Sequence, residues 1–173
     1  FQPYARDEFL ARPWAIPGTP GRQHRIGGLE KADVTGNISY DGANHARMTE
    51  LRAAKIAGIE RDIPPLEVDD PDAAELLVLG WGSSQGAIRA GVRRARLNGH
   101  RVASAQLRHL NPLPANTGEV LKSFKRVLVP EMNSGQLTQL LRARFLVDVE
   151  SLSKVAGVPL HSAEIEAAIE ERQ

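Results

Sequence analysis

The sequence contains no cysteine. Disulfides, thiolate metal sites, iron–sulfur ligation and cysteine nucleophiles are therefore excluded from this chain. It also lacks a large excess of charge of one sign, because the formal net charge is +1. This balance argues against binding to nucleic acid through an overall basic surface. No apolar run reaches the length of a membrane span, and no signal peptide is visible. We expect a cytoplasmic chain with no membrane partner and no nucleic-acid partner.

Aromatic residues are scarce, at 5% of the chain, and four of them lie near the N-terminus: Phe1, Tyr4, Phe9 and Trp14. The first 28 residues are rich in Pro and Gly, which disfavours long regular structure. Because disordered linkers are usually poor in aromatics, we predict an extended arm docked on a surface. We assign residues 1–65 to this connector, with one helix at about 44–57 for which Asn44 is the expected cap. The chain starts with Phe rather than Met, and we expect it to be a piece of a longer polypeptide.

Residues 75–99 carry the strongest local pattern, an apolar run followed by a Gly/Ser turn and a helical repeat. The apolar run predicts a strand covered on both faces. Two readings of the turn remain. Ser83 or Ser84 caps the helix, which is the ordinary role of such serines. Alternatively, the N–H groups of Gly82, Ser83 and Ser84 bind an anion such as coenzyme A or phosphate. A dinucleotide site is disfavoured, because the glycine spacing is one residue off and the next strand ends without an acidic residue.

Strand and helix patterns alternate over the rest of the chain, which predicts an α/β domain over residues 66–173. We expect a three-layer open sandwich with a mostly parallel sheet. The predicted strands are 75–81, 102–107, 126–129 and 151–155, and the predicted helices are about 85–98, 115–124, 133–145 and 162–169.

None of the five histidines forms a metal-spaced pair with another histidine or a carboxylate on a predicted helix. No Ser–His–Asp arrangement follows from the spacing. The residues themselves therefore predict no catalytic group and no metal site. Arg89, Arg93 and Arg96 share one helical face, which is typical of a solvated surface, with docking to an acidic partner as the alternative.

Five longer strings together are far more specific than any single glycine motif. They are HRIGGLEK (24–31), GNISYDGANH (36–45), LGWGSSQGAI (79–88), LRHLNPLP (107–114) and VPEMNSGQL (129–137). The chain resembles the C-terminal part of the alpha subunit of 2-oxoacid:ferredoxin oxidoreductases, in particular the 2-oxoglutarate branch. The pattern from LRHLNPLP to the Gly-Gln-Leu helix start also resembles the C-terminal domain of transketolases and of 2-oxoacid dehydrogenase beta subunits.

The resemblance implies a complete enzyme that decarboxylates a 2-oxoacid on thiamine diphosphate with magnesium. Such enzymes pass electrons through iron–sulfur centres to ferredoxin and transfer the acyl group to coenzyme A. It further implies a beta subunit as partner and a transketolase C-terminal-domain-like fold for this chain. No cofactor and no catalytic residue are expected on the chain itself, whose role would be subunit packing. The motifs near the arm place five residues near a subunit junction: His24, Arg25, Tyr40, Asp41 and His45.

Two other classes remain open from the sequence. One is a stand-alone module that holds an anionic ligand or a carrier protein at the Gly82–Ser84 turn. The other is the same fold in a transketolase or dehydrogenase beta chain.

Overall fold

The computed structural model of the chain describes residues 1–69 and 72–172. The chain forms two compact units, Phe1–Asp62 and Ile63–Gln173. Within the described ranges, no helix is long and apolar enough to cross a membrane.

The first unit contains little regular structure before its single α-helix. Isolated bridges pair Tyr4 with Val34 and Lys31 with Ile38, so the arm folds back on itself. Helix α1 spans Gly42–Ala57 and continues into a 3-10 helix at Gly58–Asp62. The predicted start at Asn44 is wrong, because Asp41 is the N-cap and its side chain accepts hydrogen bonds from two backbone N–H groups of the first turn.

Three of the four N-terminal aromatics pack against guanidinium groups of their own unit. Arg12 lies 4.3 Å from the centre of the Tyr4 ring, Arg22 lies 5.3 Å from that of Phe1, and Arg61 lies 4.3 Å from that of Phe9. Trp14 differs from them, because 87% of it is exposed. The arm thus contacts three of its aromatic rings with its own guanidinium groups, although Phe1 and Phe9 each remain 51% exposed.

The second unit is built on a five-stranded sheet with the order β1-β3-β2-β4-β5. Strand β1 pairs antiparallel with β3, and all other pairs are parallel. The strands are β1 Val68–Asp69, β2 Leu76–Trp81, β3 Val102–Leu107, β4 Arg126–Glu131 and β5 Val149–Ser153. The helices are α2 Gln85–Leu97, α3 Thr117–Lys122, α4 Gln136–Phe145 and α5 Ser162–Glu170.

Alternate residues of β2 enter separate cores, which is why the whole strand is apolar. Leu77 and Leu79 pack with buried side chains of α3 and α4, whereas Leu76 and Val78 pack with those of α2 and α5. Helices therefore cover both faces of the sheet. The predicted three-layer α/β sandwich with a mostly parallel sheet is confirmed.

Close backbone approach at one glycine fixes the spacing of α2 and α5. A Cβ atom at Gly91 would lie 2.6 Å from Ile165 Cβ and 2.8 Å from the Ser162 carbonyl oxygen. Gly91 therefore allows these two helices to pack closer than any other residue would.

Several predicted boundaries need correction. Strand β1, Val68–Asp69, is not among the predicted strands, and residues 70 and 71 after it lie outside the described ranges. Strand β5 begins and ends two residues before the predicted 151–155. The sequence predicts Ser162 as the cap of the last helix, but Ser162 is the first residue of α5 and the N-cap is His161, whose N–H donates a 2.6 Å hydrogen bond to Glu164.

Candidate functional site

The strand order reverses between β2 and β4, because β3 lies on one side of β2 and β4 on the other. Ligands of open α/β sheets bind outside the carboxyl ends of the strands at such a point. A crevice of about 330 Å³ opens there. Its walls are the turn after β2, at Trp81–Ser84, and the turn after β4, from Pro130 to Gln136. Topology thus brings the predicted Gly82–Ser84 turn to the expected place for a ligand.

The turn after β2 is held by bonds that differ from the predicted cap. Gly82 adopts a φ of +59°, and Gly82–Ser84 form a 3-10 turn before α2. The Ser84 hydroxyl is buried and donates a 2.8 Å hydrogen bond to the Trp81 carbonyl oxygen. The prediction that Ser83 or Ser84 caps the helix through its side chain is therefore wrong, because Ser84 donates backwards and no side chain caps α2.

The opposite wall contains a buried carboxylate that the sequence analysis did not single out. Glu131 is 1% exposed. Its two oxygens accept hydrogen bonds from the backbone N–H groups of Leu137 (2.8 Å) and Thr138 (3.0 Å), and from the Thr138 hydroxyl (2.9 Å). The positive end of α4 is thus occupied by a carboxylate of the protein itself. The sequence signal was an acidic residue at a strand end, six positions before a helical apolar repeat.

Asn133 supplies the remaining bonds of this wall. Its Oδ1 accepts from the N–H groups of Gly135 (2.8 Å) and Gln136 (3.0 Å). The sequence predicts Asn133 or Ser134 as the cap of this helix, and that prediction is wrong, because the helix begins at Gln136 with Gly135 as its N-cap. Asn133 contributes instead by accepting from the N–H of the first helical residue. Gly135 has a φ of +86°, which accounts for the glycine between the turn and the helix.

A polar bridge joins the ends of β2 and β3. The Gln106 amide donates a 3.2 Å hydrogen bond to the Gly82 carbonyl oxygen. A Cβ at Gly80 would lie 2.5 Å from Gln106 Oε1, so the amide lies tightly against the β2 backbone. The adjoining cavity, of about 490 Å³, is also lined by the exposed Arg108. A dinucleotide-binding fold needs an acidic residue at the end of this second strand, where Gln106 instead uses its amide to bind the backbone.

Two of the five residues expected near a subunit junction lie together in the first unit. His24 and Arg25 line one groove of about 350 Å³. His24 stacks edge-on against Phe1, with ring centres 5.4 Å apart, and its Nδ1 lies 2.8 Å from the Arg22 carbonyl oxygen.

The other three lie at the start of α1. Asp41 is the helix cap described above, and Tyr40 is 87% exposed. His45 Nδ1 lies 2.6 Å from Glu30 Oε2, and Arg52 contacts the other oxygen of Glu30 at 3.5 Å. The hydrogen bond with His45 holds the pKa of Glu30 below its ordinary value, and the charge of Arg52 acts in the same direction.

The lysine of the HRIGGLEK string, Lys31, holds the backbone of that string in place. Lys31 is buried, and its ammonium donates to the carbonyl oxygens of Gly27 (2.6 Å) and Leu29 (2.5 Å). Asn44 then ties the string to α1, because its amide donates to the Lys31 carbonyl oxygen at 2.9 Å and accepts from the Asp33 N–H at 3.0 Å. This long-range role explains why Asn44 is not the helix cap.

The side chains present do not fit the iron–sulfur centres that the resemblance implies for the complete enzyme. Iron–sulfur clusters need thiolates, and the chain has no cysteine. Within residues 1–69 and 72–172, no three His, Asp or Glu side chains are grouped as a metal site. The buried Glu131 already accepts three hydrogen bonds from α4. We therefore derive no catalytic step through these cofactors on this chain.

The sequence profile of the family "Pyruvate:ferredoxin oxidoreductase core domain II" matches residues 74–165. This match covers most of the second unit, from two residues before β2 into α5. The chain belongs to this family.

Relatives of this oxidoreductase family extend the similarity into the first unit. The chain is 59% identical over 167 residues to the 2-oxoglutarate oxidoreductase subunit KorA of Mycobacterium tuberculosis, covering 95% of the chain and 25% of that protein. It is 32% identical over 150 residues to subunit alpha of 2-oxoacid:ferredoxin oxidoreductase 2 of Aeropyrum pernix, covering 83% of the chain and 23% of that protein. The chain thus spans about a quarter of the length of these curated relatives.

A solved member of the family has the same fold. The 2-oxoglutarate:ferredoxin oxidoreductase from Magnetococcus marinus, solved with 2-oxoglutarate, coenzyme A and succinyl-CoA bound, matches with a TM-score of 0.88 and 29% identity. The match covers 99% of this chain and 30% of that one. The resemblance stated from the sequence motifs is confirmed.

Proposed function

We propose that this chain is the C-terminal, non-catalytic packing domain of the alpha subunit of a thiamine-diphosphate-dependent 2-oxoacid:ferredoxin oxidoreductase. The complete enzyme would form an acyl-CoA by oxidative decarboxylation, with thiamine diphosphate, magnesium and iron–sulfur centres held outside this chain. The observation that carries the proposal is the 59% identity to KorA over 167 residues, which runs through both units. A beta subunit, ferredoxin and coenzyme A are the partners in this proposal, and the location is cytoplasmic.

The structural role is supported by how the polar groups of the second unit are used. Glu131 and Ser84, both buried in the switch-point crevice, are engaged in bonds that hold α4 and the β2 turn. Neither is free to act as an acid, base or nucleophile while these bonds hold. We assign the substrate as 2-oxoglutarate, because the relative at 59% identity is named for it, whereas the relative at 32% is named only for 2-oxoacids.

The five residues His24, Arg25, Tyr40, Asp41 and His45 are proposed to lie near the junction with the beta subunit. Support comes from their placement in the irregular first unit, where Arg25 and Tyr40 project outward.

The test compares the complete alpha subunit, co-expressed with its beta subunit, with the isolated chain. Reduction of ferredoxin is measured with 2-oxoglutarate and coenzyme A, and with pyruvate as the alternative substrate. We expect the complex to co-purify and to be active with 2-oxoglutarate, and the isolated chain to be inactive. Turnover by the isolated chain alone would contradict the non-catalytic role, and preference for pyruvate would contradict the substrate assignment.

A second candidate is an anion site at the Gly82–Ser84 turn, which the crevice at the switch point favours. Coenzyme A and inorganic phosphate are titrated separately into the isotope-labelled chain, and the amide signals of these residues are followed. A saturable shift at Gly82, Ser83 and Ser84 would support a binding module. The absence of any shift up to millimolar ligand would leave the turn a structural element.

A further inference from the structure

The groove that contains His24 and Arg25 has a one-sided charge. Its walls include Arg12, Lys55 and the two residues just named, and no Asp or Glu lines it. Its volume is about 350 Å³. Three cationic side chains in one groove, Arg12, Arg25 and Lys55, create a local positive potential that attracts carboxylates or phosphates.

Four acidic residues of the same unit are engaged elsewhere, and no acidic side chain lines this groove. Asp33 forms a 2.6 Å ion pair with Arg6, and Glu30 contacts His45. Asp41 caps α1, and Asp7 accepts hydrogen bonds from two backbone N–H groups of the arm. Within the described residues, neither Arg25 nor Lys55 forms an ion pair. The groove is therefore locally cationic, although the formal net charge of the whole chain is only +1.

Large apolar side chains border the same groove. Trp14 is 87% exposed and Ile26 is 78% exposed, and both line it, while Ile16 follows two residues after Trp14 and is 68% exposed. Trp and Arg are the residues that most often dominate protein interfaces, where an apolar anchor is surrounded by polar contacts. A small phosphate ligand would cover the cations but not these side chains, whereas a polypeptide surface would cover both.

The backbone that carries Trp14 is held by a hydrogen bond from the same unit. Arg22 donates a 2.7 Å hydrogen bond to the Trp14 carbonyl oxygen, and the same guanidinium packs over Phe1. Arg12 lies over the Tyr4 ring on the groove wall. A preorganised anchor loses less conformational entropy on binding than a flexible one.

We infer that this groove, lined by Arg12, Trp14, His24, Arg25, Ile26 and Lys55, docks an acidic surface segment of the companion beta subunit. The inference rests on the proposed function, because the beta subunit is the partner named there. The docked segment would present Asp or Glu side chains to Arg25 and Lys55 and an apolar side chain to Trp14.

The first test measures binding of the complete alpha subunit to the beta subunit at low and moderate salt. In the R25E/K55E variant we expect the Kd to rise at least about tenfold and to lose much of its salt dependence. For Trp14→Ala we expect a rise of about thirtyfold, as for an interface anchor. The matched control is R101E/K122E, which makes the same charge change at two exposed residues of the second unit and should leave the Kd unchanged.

The second test is zero-length carbodiimide cross-linking of the assembled complex, followed by mass spectrometry. We expect the Lys55 amine to be joined to a beta-subunit Asp or Glu, and Lys122 to give no such product. A Lys55 link to another part of the alpha subunit, or an unchanged Kd in R25E/K55E, would overturn the inference. The same holds if R25E/K55E assembles normally but needs more coenzyme A, because the groove would then serve a phosphate ligand. If the wild-type subunits form no complex, the proposed function itself fails along with the inference, whereas the preceding results refute the inference alone.

Discussion

Glu131→Gln tests whether a buried carboxylate holds the start of α4. In the structure, one oxygen accepts from the Leu137 N–H and the other from the Thr138 N–H. Glutamine keeps the size but has a single carbonyl oxygen. In either orientation, its NH₂ group must face one of these two N–H donors. One charge-assisted hydrogen bond, worth about 1.5–3 kcal/mol, is lost. The favourable charge–dipole interaction, about 0.3–1 kcal/mol, is lost as well.

We therefore expect Glu131→Gln to lower the free energy of unfolding of the second unit by about 2–4 kcal/mol. For a unit of this size the melting temperature would fall by roughly 10 °C. The assay is urea unfolding followed by Trp fluorescence in a Trp14→Phe background, so that Trp81, which lines the same crevice, is the only indole. Glu119→Gln, on the exposed side of α3, removes the same charge as a control. Equal stabilities of Glu131→Gln and Glu119→Gln, within about 0.5 kcal/mol, would refute the reasoning.

Three further changes test other elements. Gly91→Ala places a methyl group against Ile165 and should lower the free energy of unfolding by about 1–3 kcal/mol. Gly86→Ala, in the same helix, meets open space and should raise the free energy of unfolding by about 0.5–1 kcal/mol. Thermal unfolding of both variants checks that the two effects have opposite signs. Asp41→Ala should lower the free energy of unfolding by about 1 kcal/mol, because the α1 cap is lost, and Asp41→Asn should retain most of that stability. Equal helix content and melting temperature in the wild type and both variants would contradict the capping role of Asp41. The hydrogen bond from Lys154 holds the pKa of Glu164 below its ordinary value, so its stabilisation is present above the unfolded-state pKa and is lost as pH falls through the folded-state pKa. Glu164→Gln should therefore be less stable than wild type in urea at pH 7 but not at pH 3, and an equal difference at both pH values would exclude this linkage.

The strands of the sheet were the most predictable part of the fold. The bounds of β3 agree with the prediction, because its apolar run ends at Arg108 and both of its faces are covered. Strand β1 was missed because it has only two residues. It exists through pairing of Val68 with Ala105 and of Asp69 with Ser104, which is a long-range interaction with no local pattern.

Helix starts were less predictable, because several residue types can satisfy the first N–H groups. Asp41 and Asn44 are equally good caps by type. The choice is decided by Lys31 and Asp33, whose backbone occupies the Asn44 side chain from 13 and 11 residues away. The predicted cap at Ser84 fails for a similar reason, because its hydroxyl donates to the Trp81 carbonyl oxygen and does not accept from a helical N–H. The local sequence therefore predicts the region in which a helix starts, but not which side chain accepts from its first N–H groups.

The switch-point crevice shows why the location of a candidate site was predictable and its chemistry was not. The Gly82–Ser84 turn follows from an apolar strand that meets a Gly/Ser sequence, and parallel topology then places it beside the end of β4. The bonds that close the crevice come from other strands, since Gln106 binds the Gly82 carbonyl oxygen and Glu131 binds the start of α4. Both side chains stand where a ligand-binding member of this architecture would place a group that contacts its ligand. Because Gln106 and Glu131 instead form hydrogen bonds with the protein backbone, the same topology here favours a packing domain. An anion at Gly82–Ser84 would have to bind without help from either of them.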